Sequence, residues 1–184
     1  MFKKQGESML NHGVIKATLA ASVLALAGLA MPMQASAACN LVSTKDNSPL
    51  NIKVADDDTP EAKQFLETCV NPYTKIYAAD PEKAKQGKKK FGLYSCTTCH
   101  GPNGDGQVAV SITDDRWQYS KHITDKGLFE TIAGGTNGGM ATWHKQVSGN
   151  PDLVSTDEIL KIVAFLRSQY KGGGDKPWLN EKPQ

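Results

Sequence analysis

The sequence predicts an all-α fold, and three observations predict it. Three segments repeat apolar residues at helical spacing, no segment alternates with the period of a strand, and the pentapeptide Cys96-Thr97-Thr98-Cys99-His100 directly follows the first of those segments. The pentapeptide carries its own chemistry. Two thiols three positions apart can each form a thioether with a porphyrin vinyl group, which leaves the next residue beneath the iron. The motif therefore points to one covalently attached haem c, anchored by Cys96 and Cys99, with His100 as the proximal iron ligand.

Other readings of Cys-x-x-Cys fit less well. A structural zinc site would want a second ligand pair, and the remaining cysteines, Cys39 and Cys69, lie far apart. A thioredoxin-like pair would follow a hydrophobic strand, and none precedes Cys96. Neither alternative accounts for the adjacent histidine.

Taken in order, residues 1–37 read as an export signal: Lys3, Lys4 and Lys16 are basic, Ala17 to Ala30 is almost wholly apolar, and Ala35-Ser36-Ala37 fits a small-residue cleavage site. The apolar run is short for a membrane span. The signal implies a periplasmic protein with no stable membrane insertion once it is removed. The full chain has 21 basic and 19 acidic side chains, and loss of three lysines and Glu7 with the signal leaves 18 of each. A balanced charge of this kind gives no footprint for nucleic-acid binding.

Residues 38–80 form an N-terminal extension with polar turns at Asp46-Asn47-Ser48-Pro49 and Asp56-Asp57-Asp58, and one helical segment near Pro60 to Cys69. Its cysteines, Cys39 and Cys69, are either a structural disulfide, which the periplasm permits, or two free buried thiols.

The main domain, residues 81–171, opens with Asp80 as N-cap and Pro81 at the first helical position. On this helix Gly87 and Phe91 share one face, and five lysines fall between Lys83 and Lys90, either a docking patch for an acidic partner or a solvated face. A second helix spans Asp125 to Ala133, with Leu128, Phe129 and Ile132 at helical spacing and Gly134-Gly135 as its stop. The third starts at a capping box, Ser155 with Glu158, and carries Ile159, Val163, Leu166 and Tyr170 on one stripe. Gly172-Gly173-Gly174 then leads into a C-terminal tail, residues 172–184. Three helices and long connections make a small core, so the cofactor is expected to be structural as well as functional.

A bound iron needs a sixth ligand if it is to shuttle electrons without binding oxygen or peroxide. Met140, the only methionine after the motif, lies in a glycine-rich run that can loop back to the iron, and thioether sulfur suits a high potential. His144 is the runner-up for Met140, and His122 a more distant rival; bis-histidine ligation would lower the potential. An open sixth position would instead suit a haem enzyme or a sensor. Trp117, Tyr119 and Trp143 are candidates for hydrogen bonds to haem propionates, or for ordinary packing.

These residues resemble the class I cytochrome c fold, in which N- and C-terminal helices cross beside the haem; Gly87 and Phe91 would there meet Phe165, Leu166 and Tyr170. The segments DDRWQYS (114–120), DKGLFETIAGGTNGGM (125–140) and PWLN (177–180) further resemble cytochrome cL and the related XoxG-type cytochromes of methylotrophic bacteria. The resemblance implies a non-enzymatic periplasmic one-electron carrier. Its donor would be a quinoprotein methanol or other alcohol dehydrogenase and its acceptor a second cytochrome c or an oxidase. Two departures have structural consequences. Phe91 lies five residues before Cys96 where the common pattern has four, and VAVSI (108–112) lacks the usual proline, so a carbonyl near Val110 would have to orient His100.

Overall fold

A computed structural model describes residues 38–184, and the export signal proposed for 1–37 lies outside those residues. Helices begin where the sequence supplies caps. Thr59 accepts from the Ala62 amide to open α1 (Pro60–Thr68), and a short α2 (Tyr73–Ala79) follows without a side-chain cap. Asp80 accepts from the amides of Glu82 and Lys83 to open α3 (Pro81–Leu93), with Pro81 at the position where no amide is needed. The pentapeptide forms α4 (Cys96–His100), and Thr124 caps α5 (Asp125–Gly134), which ends on Gly135 at φ +73°. A single turn, α6 (Lys145–Ser148), precedes α7 (Thr156–Ser168), where both halves of the Ser155–Glu158 capping box are formed. No β-strand occurs among the described residues, only isolated bridges joining Val42 to Pro49 and His144 to Val154.

The core is organised by the crossing of α3 and α7. Gly87 lets the two backbones meet, and four residues on, the Phe91 and Phe165 rings lie 5.7 Å apart. Phe65 of α1 packs on Phe129 of α5 at 4.5 Å and continues the same core.

The N-terminal extension is less irregular than its sequence suggests, because it contains α2 as well as the expected α1. It also supplies core: Leu41, Phe65 and Leu66 are buried in the main cluster, and Cys39 is bonded to Cys69. Polar links fasten it further. The Val42 amide donates to Glu130 Oε1 at 2.9 Å, and Asn71 Nδ2 donates to the Leu160 carbonyl at 2.9 Å.

The tail returns to the body through a turn of 3-10 helix at Pro177–Asn180. Trp178 lies on the guanidinium of Arg167, 4.0 Å from ring centroid to Cζ, and Trp117 stacks on Tyr170 beside it. Arg167 is itself buried and paired with Asp125, Nε to Oδ1 2.8 Å. Glu181 closes the cluster by accepting from the Asp125 amide at 2.8 Å.

Candidate cofactor site

Local backbone geometry places the pentapeptide. Helix α3 stops at Leu93, Tyr94 caps it, and Ser95 takes a left-handed conformation at φ 58° before α4 restarts at Cys96. The extra residue between Phe91 and Cys96 is absorbed there, as a break between two helices instead of a longer first helix. Glu158 holds the break in place. It accepts from Lys90 Nζ at 2.7 Å and from Tyr94 Oη at 2.8 Å while capping α7. Burial opposes ionisation of Glu158, yet the bonds from Lys90, Ser155 and Tyr94 outweigh it and hold the carboxyl down at about 2.

Cys96, Cys99, His100 and Met140 line one cavity of about 660 Å³. Neither thiol is in a disulfide. Burial pushes the Cys96 thiol up to about 11, so before any attachment it is a protonated thiol. His100 has its pKa lowered by burial, against a smaller opposing effect of the Val110 backbone, which is the carbonyl neighbourhood expected from the sequence. Its Nδ1 is buried and makes no aligned hydrogen bond among the described residues.

Met140 reaches the cavity on a tight loop. Thr136 and Met140 exchange contacts, the Thr136 amide donating to the Met140 carbonyl at 2.9 Å and the Met140 amide donating to Thr136 Oγ1 at 3.4 Å. Gly135 is needed where the loop closes: at its positive φ a β-carbon would lie 2.5 Å from the Met140 carbonyl oxygen.

The histidines separate clearly. His144 is fully buried outside the cavity walls, with Nε2 3.0 Å from Thr156 Oγ1 and Nδ1 accepting from the Gln146 amide at 3.2 Å. Both of its nitrogens are spent on capping and packing. His122 does line the cavity, beside Tyr119, Thr131 and Trp143. Trp117 does not; it belongs to the tail cluster. Gln118, Thr131 and Thr136 complete a polar stretch of wall that sequence patterning left unmarked, since a single amide or hydroxyl has no diagnostic spacing.

Comparison with known proteins gives the family. A Cytochrome c family model matches residues 84–169. Cytochrome c-L of Methylorubrum extorquens is 33% identical over 169 residues, covering 86% of this chain and 80% of the relative. The chain belongs to the cytochrome c-L family. The solved structure of cytochrome cL from Methylophaga aminisulfidivorans is similar at 32% identity with a TM-score of 0.62, covering 78% of this chain and 94% of that one. That of cytochrome cL from Hyphomicrobium denitrificans gives 33% identity and a TM-score of 0.62, with 80% and 88% covered. A shorter similarity, 36% over 73 residues, links 38% of this chain to 24% of the cbb3-type oxidase subunit FixP of Azorhizobium caulinodans.

As a cytochrome c-L family member the chain is an electron carrier with covalently bound haem c and its iron. The residues present fit that group. Two free thiols, an imidazole and a thioether sulfur share one cavity lined largely by apolar surface.

Proposed function

We propose that this cytochrome is a periplasmic one-electron carrier that accepts electrons from a quinoprotein methanol or other alcohol dehydrogenase and passes them to a second cytochrome or an oxidase. In this reading Cys96 and Cys99 form the thioethers, and His100 and Met140 are the axial ligands. Bound haem supplies a ferric/ferrous couple that takes and gives one electron at a time. The protein's own groups bind and hold it. The Ser95 break aims the two thiols, the Gly135–Met140 loop delivers the sulfur, and the apolar walls limit water around the iron.

The observation that carries the reading is the convergence of Met140 and the pentapeptide on one cavity, while both nitrogens of His144 are engaged elsewhere. A closed ligand set suits electron transfer, and no bond-making chemistry is assigned to the chain. The dehydrogenase assignment is supported by similarity to cytochrome c-L over most of the chain. The compartment is supported by the export-type sequence at 1–37 and by the Cys39–Cys69 disulfide. No helix among the described residues is long and apolar enough to cross a membrane.

Stopped-flow mixing of the ferric protein with purified, substrate-reduced quinoprotein dehydrogenases tests the partner. Rapid saturable reduction is expected with at least one alcohol dehydrogenase. Failure with all of them removes this donor class and leaves the carrier role.

A further inference from the structure

The cavity has an unassigned polar wall. Its lining includes no lysine or arginine, although haem brings two carboxylates with it. Side-chain polar hydrogens in this stretch of wall come from Gln118, Tyr119, His122, Thr131, Thr136 and Trp143, with the Ser95 hydroxyl beside the pentapeptide. Among them His122 is held by both its backbone and its ring. It is only 6% exposed, its carbonyl accepts from Arg167 Nη2 at 2.9 Å, and its ring meets Tyr119 edge-on at 5.1 Å.

The two ring nitrogens of His122 have different fates. Nε2 lies 2.8 Å from Thr131 Oγ1, and Thr131 Oγ1 lies 2.8 Å from Thr44 Oγ1 in the N-terminal extension. Nδ1 makes no hydrogen bond among the described residues, yet it is absent from the buried orphan atoms, which are Tyr77 Oη and His100 Nδ1. It is therefore not sealed in protein, and the open space beside His122 is the cavity that it lines.

We propose that His122 holds one haem carboxylate through Nδ1, in a tautomer fixed by the hydrogen-bond chain Thr44–Thr131–His122. The chain can run in two directions. If Thr44 donates to Thr131 and Thr131 donates to Nε2, then Nε2 is an acceptor and the ring proton must sit on Nδ1, ready to donate to a carboxylate. The reverse direction puts the proton on Nε2 and presents a lone pair to the carboxylate, which is repulsive. A carboxylate in a wall without cations selects the first. Burial, and then the nearby charges of Arg167 and Lys121, push the imidazole's pKa down to about 4 and so oppose the rise that an adjoining carboxylate causes. The extension thereby reaches the cofactor: Thr44 sets the proton on a ring that touches it. His122 is a haem-binding residue in this scheme, and Thr131 and Thr44 are positioning residues.

The inference rests on the haem site described above, and its test separates the two. The probe is the haem-loaded full-length mature protein, labelled with nitrogen-15 and reduced to the diamagnetic ferrous state. Long-range proton–nitrogen NMR should show His122 protonated at Nδ1, with that proton exchanging slowly. In Thr131→Val, which keeps the side-chain volume, exchange of the proton should quicken at least tenfold. In His122→Phe, loss of the donor leaves more negative charge near the iron, so the ferric-to-ferrous ratio at a fixed poise should rise about threefold or more with the axial sulfur band intact. An Nε2-protonated ring in the wild-type protein overturns the proposal, as does an unchanged ratio in the variant. Loss of the sulfur band in His122→Phe also overturns it, since His122 would then act on the ligand set. A haem-free mature protein would sink the site itself, a separate outcome read by mass.

Discussion

A β-carbon on Gly87 would stand 2.6 Å from the β-carbon of Phe165, and closer still to the Lys161 carbonyl oxygen. The obstacle is backbone of α7, which cannot rotate away as a side chain would. Gly87→Ala gains about 1 kcal/mol of helix propensity. It must also push α3 and α7 apart at the centre of the core, an overpacking cost of about 3 kcal/mol or more. The second effect wins, so the haem-loaded variant should be less stable by about 2 kcal/mol or more. Urea denaturation followed by far-UV circular dichroism measures the difference.

Met140 and His144 are four residues apart, and their variants should behave oppositely. Met140→Ala is expected to abolish the weak far-red absorption of sulfur-ligated ferric haem and to lower the midpoint potential. His144→Ala should leave that band in place. It removes a fully buried ring and strips a partner from Thr156 Oγ1 and the Gln146 amide, a loss of about 2–4 kcal/mol of stability. Ferric optical spectra paired with thermal melts of both variants separate ligand from structural residue.

Glu181 ties stability to pH through the tail. Burial first, and the neighbouring Asp125 second, push its carboxyl up to about 7. The folded chain thus favours protonated Glu181, and this contribution is complete below pH 4.5 and lost as the pH rises through about 7. Because the group is only half-buried, about 1–2 kcal/mol is at stake after solvent screening. Glu181→Gln keeps the acceptor for the Asp125 amide and removes the titration. Its unfolding free energy should therefore exceed that of the wild-type protein at pH 8 and match it near pH 5. Parallel curves across that range would exclude Glu181 as the source.

The chemistry was more legible in the sequence than the architecture around it. CTTCH is informative because covalent attachment demands a fixed spacing, and Asp80-Pro81 and Ser155-x-x-Glu158 are informative because caps are local. Helix α2 gave no such signal: it is seven residues long, has no side-chain cap, and buries Thr74 and Tyr77 through contacts set by the tertiary fold. The third helix also ends at Ser168, short of the glycine run, where the Gln169 and Tyr170 amides turn to carbonyls three residues back and the Lys171 amide donates to the Thr113 carbonyl at 2.8 Å. Arg167–Asp125 and Thr44–Thr131–His122 were invisible for another reason. Their members lie 42, 87 and 9 positions apart, and no periodicity links them.

The disulfide offers the cleanest division between stability and redox function. Cys39 and Cys69 are bonded across 30 residues, and the bridge pins the start of the extension to the end of α1 while taking no part in the cavity walls. In the loop-entropy treatment, closing a loop of this length restricts the unfolded chain by roughly 3 to 4 kcal/mol. Cys69 also occupies the left-handed cap of α1 at φ 61°, so replacing it with serine leaves a strained position without the bond that holds it. The paired variant Cys39→Ser/Cys69→Ser should accordingly lose about 3 kcal/mol of stability. Leu41 and Val42 should exchange amide hydrogens faster, since their segment is then held only by the packing of Leu41 and by hydrogen bonds such as that from the Val42 amide to Glu130. Haem content, the optical spectrum and the midpoint potential should hold, because Cys96, Cys99, His100 and Met140 keep their supports in α3, α4 and the Gly135 loop. Hydrogen exchange by mass spectrometry, run beside potentiometry on the same haem-loaded sample, reads both halves. A potential that moved with the disulfide would show that the loosened segment also releases the Thr44 contact with Thr131.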